Sequence, residues 1–253
     1  MDQRESPNER FKRMLALTTR ALSAEPEAEV KFGGENPSVS GTEARLPLPP
    51  RRLDQKKVAI SRGHADAAAL RLAHHDAGLH ARLQPENPEG RAMFAALEEV
   101  RCEALGSNAM EGVGKNLSAA LERRLDEQGY RRMEDRQDVP LKDIVGLIAR
   151  ERMTGQPTPD AAAELVNQWR DDIEKTCGEA LDALAAQDSH HDQTVFSNLS
   201  RALIEALDLG DKQGDEDHTE EEDEAPPEEG EEPDQQNADD EDDNAPDGDD
   251  APD

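Results

Sequence analysis

Large apolar side chains are scarce in this chain, and from Asp211 to the last residue they are absent. These 43 residues contain no Leu, Ile, Val, Met or aromatic residue, and their only apolar side chains are those of four alanines. The same segment carries 23 carboxylates and one lysine. Ordering a residue costs about 1–2 kcal/mol of conformational free energy, and this segment buries too little surface to offset that cost. The sequence therefore predicts a disordered, Asp/Glu-rich tail at 211–253 after a folded part at 1–210.

Aromatic residues and dense basic stretches are also rare, which argues against a nucleic-acid partner. Four Phe, one Trp and one Tyr are too few for a base-stacking surface. The formal net charge of −30 repels phosphate. Residues 1–210 hold 36 acidic and 28 basic residues, so the folded part is a mildly acidic domain. It is long enough to bury a sizeable core, which Leu, Ala, Val and Met must build.

The sequence lacks the cysteine pattern of a disulfide-rich secreted protein and the long apolar run of a membrane span. The two cysteines, Cys102 and Cys177, are far apart and form no CxxC spacing. This excludes a disulfide scaffold and a zinc ribbon. No apolar run reaches the length of about 18 residues that a membrane span needs, and the N-terminus lacks a secretory apolar region. We therefore expect a cytoplasmic protein without a membrane partner.

Helical periodicity runs through most of residues 1–210, and we predict a mainly α fold. It is a multi-helix domain with one small β-hairpin near the N-terminus. A capping box of Ser6 and Glu9 starts the first helix, with Pro7 at its first position. Further helices are predicted at 53–83, 89–105 (ended by Gly106) and 113–128, after Pro140, from Ala162, and at 192–209. Alternating residues at 29–32 and 44–48 predict the hairpin, whose second strand Pro47 confines to an edge.

The segment Gly112–Asn116 (GVGKN) partly resembles a phosphate-binding P-loop but fails its pattern. That pattern requires glycine where Ala109 stands, and serine or threonine after Lys115, where Asn116 stands. It should also follow a strand, whereas this segment follows a predicted helix. We therefore expect no nucleotide site, no cofactor bound by this chain and no catalytic residue.

A cluster of histidines raises the question of a metal site. It consists of His64, His74, His75 and His80. Asp76 and His80 lie one helical turn apart and could share a metal ion. A closed site with three ligands cannot come from this helix alone and needs His190 and His191 from across the fold. We predict no metal site, and leave open whether these histidines ever hold metal.

The segment Leu97–Gly106 (LEEVRCEALG) is the densest charged feature. Arg101 lies near the apolar face of its predicted helix, close enough to be half buried, and such an arginine needs a carboxylate partner. Two interpretations stay open: a salt bridge within the chain, or an arginine offered to a partner subunit. The second makes this helix a candidate partner interface, formed by Glu98, Glu99, Arg101 and Glu103.

From about residue 7 to 208 the order of segments resembles the N-terminal region of the cobaltochelatase CobT subunit. The most specific blocks are HHDAGLHARL and LEEVRCEALG, which follow RMLALTTRALS and EARLPLPP. The acidic tail matches that family's acidic linker. The resemblance implies a role in aerobic cobalamin biosynthesis, as a subunit of an ATP-dependent chelatase. That chelatase inserts cobalt(II) into hydrogenobyrinic acid a,c-diamide.

The resemblance also implies partners. The family's subunit assembles with the AAA+ ATPase CobS into a ring-like complex that acts with the large subunit CobN and needs ATP, magnesium and cobalt(II). The family continues past its linker into a von Willebrand factor A-type domain with a D-x-S-x-S motif, and that motif does not occur here. The matched blocks carry no residue to which chemistry can be assigned, so we expect a non-catalytic subunit in a homo-oligomer or ring. The alternative is an acidic-tailed adaptor or chaperone that binds basic protein partners.

Overall fold

The protein, described by a computed structural model over residues 5–186 and 188–211, is mainly helical. The helices of these ranges are α1 Pro7–Ser23, α2 Gln55–His74, α3 Ala77–Leu83, α4 Pro88–Ala109, α5 Glu111–Gln128, α6 Leu141–Thr154, α7 Ala163–Ala185 and α8 Gln193–Ala206. The strands are β1 Glu29–Phe32, β2 Ser38–Ser40 and β3 Glu43–Leu46. The predicted mainly α fold class is confirmed. No helix in the described ranges combines the length and apolar character of a membrane span.

Helix ends follow local signals in the sequence. The Ser6 side chain accepts a hydrogen bond from the backbone N–H of Glu9, as the capping box predicts. Asp192 caps α8 in the same manner. Gly129 and Gly155 follow α5 and α6 with positive φ angles, which glycine adopts at little cost. These interactions span only a few residues, which is why the sequence predicts them well.

Two predicted helix bounds were wrong. The predicted helix at 53–83 is two helices, because Asp76 leaves the helical conformation and its carboxylate accepts a hydrogen bond from the backbone N–H of Leu79. Gly106 does not end α4, which continues to Ala109. Gly106 instead allows a close contact, since a Cβ there would lie 2.5 Å from the methyl groups of Leu70.

The pairing of the predicted hairpin was also wrong. The strands at 29–32 and 43–46 exist, but they pair in parallel. The antiparallel hairpin consists of β2 and β3, which turn at Gly41 with a φ of +55°. The strand order is β1-β3-β2, so β3 is central rather than at the edge. Pro47 lies just beyond β3, where its missing N–H removes no ladder bond.

The central helix of the fold is α4, which packs against α2, α5, α6 and α8. The largest apolar core lies mainly among α4, α6, α7 and α8 and includes Leu97, Ile148 and Leu181. A smaller core joins the sheet to α1 and α2 through Leu15 and Leu46. With neighbours on several sides, the polar residues of α4 meet different surroundings.

Of the predicted tail only Asp211 is described; residues 212–253 lie outside the described ranges, and their disorder stays a prediction.

Candidate functional site

A buried ion pair lies in the middle of α4. Arg101 is 1% exposed and Glu98 is 2% exposed. The Nε and Nη2 groups of Arg101 donate to the two carboxylate oxygens of Glu98, each at 2.8 Å. This bidentate geometry is a strong form of arginine–carboxylate pairing, because two charge-assisted bonds form in parallel.

The other N–H groups of Arg101 connect α4 to two distant segments. Nη1 donates to the backbone carbonyl of His190, between α7 and α8, at 3.1 Å. Nη2 also donates to the backbone carbonyl of His74, at the end of α2. Glu98 in turn accepts a hydrogen bond from His75 Nδ1 at 2.8 Å. The pair therefore joins three parts of the chain that are far apart in sequence.

These contacts set the charge state of the buried groups. Burial alone raises the pKa of Glu98, but the bonds from Arg101 and His75 outweigh burial and lower that pKa to about 2. His75 Nε2 lies 3.2 Å from Arg71 Nη2, so a ring with its proton on Nδ1 donates to Glu98 and accepts from Arg71. Burial, together with the nearby charge of Glu98, raises the pKa of Cys102 to about 12. This thiol therefore stays protonated and has little nucleophilic character.

The ion pair places the two sequence blocks of the resemblance in contact, since His75 belongs to HHDAGLHARL and Glu98 and Arg101 belong to LEEVRCEALG. Of the two interpretations of Arg101, the salt bridge within the chain applies. Glu98 and Arg101 are not accessible to a partner, because both are buried among α2, α4 and the loop before α8. The partner interface stays a prediction for Glu99 and Glu103, which lie on another side of α4.

Glu99 and Glu103 are one helical turn apart in a groove formed by α2, α4 and α5. The groove has a volume of about 640 Å³, and residues 35–39 before and within β2 also line it. Its lining combines small apolar side chains with charged ones: Ala67, Ala68, Leu117, Ala120, Leu121, Arg71, Glu99, Glu103, Arg124 and Glu127. A second groove of about 420 Å³ shares Glu99, Glu103 and Arg124 and reaches Arg150 on α6.

The two glutamates of the groove have different surroundings. Glu99 Oε1 lies 2.5 Å from Arg124 Nη1, and these side chains are 46% and 49% exposed. Glu103 is partly buried and, among the described residues, forms no ion pair or side-chain hydrogen bond. Burial raises the pKa of Glu103 to about 7, and the negative charge of Glu99 adds to the rise. The positive charges of Arg124 and Arg150 oppose this rise without cancelling it. A carboxyl group in a groove with a pKa near neutrality is a candidate functional group.

His64 lies apart from the other histidines, whereas Arg101 joins the backbone carbonyls of His74 and His190. His64 lines the groove, where burial lowers its pKa. Two pairs of rings have centroids 5.0 Å apart: His75 with His80, and His190 with His191. The carboxylate of Asp76 caps α3. Across residues 5–186 and 188–211, no three histidine, cysteine or acidic side chains are arranged to hold a metal ion.

The segment Gly112–Asn116 is helical and forms the first turns of α5. Lys115 pairs with Glu111 at 2.6 Å on the exposed surface of this helix. Asn116 Nδ2 donates to the buried carboxylate of Asp66 at 2.8 Å and so holds α5 against α2. A P-loop instead surrounds phosphate with a glycine-rich loop that precedes its helix. The GVGKN segment therefore serves the packing of α2 and α5.

Sequence reasoning missed the arginines of the groove, Arg71 and Arg124. Each lies on a helix separate from α4, and no local pattern relates it to Glu99 or Glu103. The available signal was the spacing of Glu99 and Glu103 by four residues, which places two like charges on one side of a helix. Such a pair is unfavourable unless a cation lies near it, and Arg124 supplies that cation to Glu99.

Comparison with known proteins identifies one family. The family model described as "Cobalamin biosynthesis protein CobT" matches residues 5–253 of this chain. The match spans nearly all of the chain, including both blocks joined by the buried ion pair. No solved structure matches the chain.

Proposed function

The chain belongs to the CobT family and takes part in cobalamin biosynthesis, and from this premise we propose that it is a non-catalytic subunit of an ATP-dependent cobaltochelatase. In this role it assembles with a CobS-type AAA+ ATPase and a large CobN-type subunit. The complex inserts cobalt(II), its substrate, into hydrogenobyrinic acid a,c-diamide. ATP and magnesium act in the complex through the partner ATPase.

The observation that best supports a subunit role is the division of charge on α4. Glu98 and Arg101 are paired with each other in the interior, where Arg101 also bonds the end of α2 and the loop before α8. Glu99 and Glu103 instead line a groove that is open to solvent. A rigid helix that presents charged side chains beside small apolar ones suits a surface that other subunits contact.

Co-purification of the full chain with its two expected partners tests this proposal. We expect a tagged chain to retain both partners in the presence of ATP and magnesium, and cobalt insertion to require the chain. The double variant Glu99→Ala/Glu103→Ala should weaken assembly about tenfold, or about 1.4 kcal/mol, and keep its melting temperature. The matched control Glu179→Ala removes an exposed charge from α7 and should assemble normally.

Two outcomes would contradict the proposal. Cobalt insertion that proceeds at the same rate without the chain would exclude a chelatase subunit. Retention of unrelated basic proteins in place of the two partners would instead support the alternative, an acidic-tailed adaptor or chaperone.

A further inference from the structure

The groove between α2, α4 and α5 carries more negative than positive charge. Its charged lining consists of Glu35, Glu99, Glu103, Glu127, Arg71 and Arg124. Arg124 pairs with Glu99, and Arg71 donates to the ring of His75. Within the part of the chain that the structure describes, neither arginine forms an ion pair with Glu103. The charges of Arg124 and Arg150 lower the pKa of Glu103 but do not outweigh burial and the charge of Glu99. Glu103 therefore has nearby cations but lacks a directly paired one among the described residues.

We propose that this groove is a docking site for a protein segment that carries an arginine or lysine beside small apolar residues. The cationic head lies next to Glu103 and forms the direct ion pair that neither groove arginine provides. The aliphatic part of that side chain lies along Ala67, Ala120 and Leu121, which also line the groove. The inference rests on the proposed function only in taking the segment to belong to another subunit of the same assembly.

The size and charge of the groove favour this occupant over others. A volume of about 640 Å³ exceeds the need of a single ion and accommodates several side chains. The net negative lining repels nucleic acid and anionic lipid. The mixture of alanine, leucine and glutamate matches a segment in which basic and apolar side chains alternate, because each finds its complement in the lining.

Docking of a cation beside Glu103 depends on pH. In the free protein, burial and Glu99 raise the pKa of Glu103 to about 7. A bound cation favours the ionised carboxylate and lowers this pKa, so Glu103 releases a proton on binding. Affinity is then full above pH 7 and decreases as the pH falls below 7, by up to about tenfold per pH unit.

Other charged groups from the neighbouring elements line the two grooves that contain Glu103. They are Glu35 before β2, His64 and Arg71 on α2, Glu99 on α4, Arg124 and Glu127 on α5, and Lys142, Asp143 and Arg150 on α6. Burial lowers the pKa of His64 from its ordinary value of 6.5, so its ring is neutral at pH 7 to 8.

Amide 15N–1H spectra of the full chain, titrated with the peptide acetyl-Leu-Arg-Ala-Leu-Arg-amide, test the proposal. A second peptide carries citrulline, which is neutral, in place of both arginines. We expect the arginine peptide to shift amide signals of α4 and α5 around Glu103 and Arg124. It should bind about tenfold more weakly at pH 6 than at pH 8, and the citrulline peptide should bind at least about tenfold more weakly at pH 8.

Two variants assign the effect to one carboxylate. Glu103→Gln should weaken binding of the arginine peptide about tenfold at pH 8 and remove the change in affinity between pH 6 and pH 8. Glu179→Gln, which removes an exposed charge from α7, should leave the affinity at pH 8 and its pH dependence unchanged. The melting temperature of Glu103→Gln at pH 8 should equal or exceed that of the wild type, because the variant removes an unpaired charge from a partly buried position.

The acidic residues 212–253 provide an internal check, because a peptide attracted by net charge alone shifts their signals and not those of the groove. The proposal is overturned if shifts are confined to those residues, are equal for the two peptides, or are unaffected by Glu103→Gln. The probe is a synthetic peptide, so this result does not depend on assembly of the chelatase. Failure of the proposed function is read separately, from co-purification and cobalt insertion.

Discussion

Replacing Arg101 with alanine is expected to reduce the free energy of unfolding by about 3–5 kcal/mol. The variant removes both bonds to Glu98 and leaves this carboxylate, which is 2% exposed, with His75 and the weakly donating thiol of Cys102 as partners. The backbone carbonyls of His74 and His190 lose their donor as well. Each orphaned buried acceptor costs about 1 kcal/mol or more, which places the expected loss in the upper part of this range.

Urea unfolding at pH 7, followed by far-ultraviolet circular dichroism, measures the free energy of unfolding. Arg124→Ala is the matched control, because it removes an ion pair whose side chains are about half exposed. Such a pair contributes at most about 1 kcal/mol. If Arg101→Ala also loses less than about 1 kcal/mol, the inference that the buried pair braces α2, α4 and the loop before α8 is refuted.

A double variant separates two contributions to the lost unfolding free energy: the absence of the ion pair and the cost of leaving the Glu98 carboxylate buried and unpaired. In Glu98→Met/Arg101→Met both charges are gone, so no unpaired carboxylate stays buried. We expect this variant to be about 2 kcal/mol more stable than Arg101→Met alone. The single variant Glu98→Met completes the cycle. If the losses of unfolding free energy in Glu98→Met and Arg101→Met add up to the loss in the double variant, the two residues act independently and the bidentate pair does not explain their burial.

The remaining predictions concern acid stability, glycine packing and the segment that resembles a P-loop. The pKa of Glu98 is about 2 in the fold and ordinarily 4.5, so its stabilisation is full above pH 4.5 and is lost as the pH falls towards 2. The difference in unfolding free energy between wild type and Glu98→Gln should narrow by about 2 kcal/mol from pH 5 to pH 3; a constant difference in urea titrations would contradict this. Gly63→Ala should lose about 2–3 kcal/mol because its Cβ would lie 2.2 Å from the backbone oxygen of Asn116, whereas Gly112→Ala, with nothing within 4 Å, should gain up to about 1 kcal/mol. Equal shifts in the thermal midpoints of the two glycine variants would exclude this contact as the cause. Lys115→Ala should change ATP hydrolysis by the assembled complex less than about twofold, since its ammonium pairs on the exposed surface of α5; a loss of about a hundredfold with assembly intact would show that the segment acts on nucleotide.

The errors in the predicted helices and strands arise where distant residues compete with local pattern. The break at Asp76 has a local cause in its capping side chain, but it is also held by Gln193 of α8. The side chain of Gln193 accepts from the backbone N–H of Asp76 and donates to its carbonyl, at 2.7 and 3.1 Å. The parallel pairing of β1 with β3 likewise joins segments that flank another strand. Neither contact leaves a periodic signal in the sequence.

By itself, the sequence determined the mainly α fold class and most helix ends. It also indicated the family and the need of Arg101 for a carboxylate partner. These follow from side-chain periodicity, from capping interactions within one helical turn and from the composition of residue blocks. Only the tertiary structure decided which charged residues of α4 are buried in ion pairs and which line the groove. Glu98 and Glu99 are adjacent in sequence, yet the first faces α2 and the loop before α8 and the second faces the groove. Burial depends on which helices pack on each side of α4, and that packing is set by the whole chain.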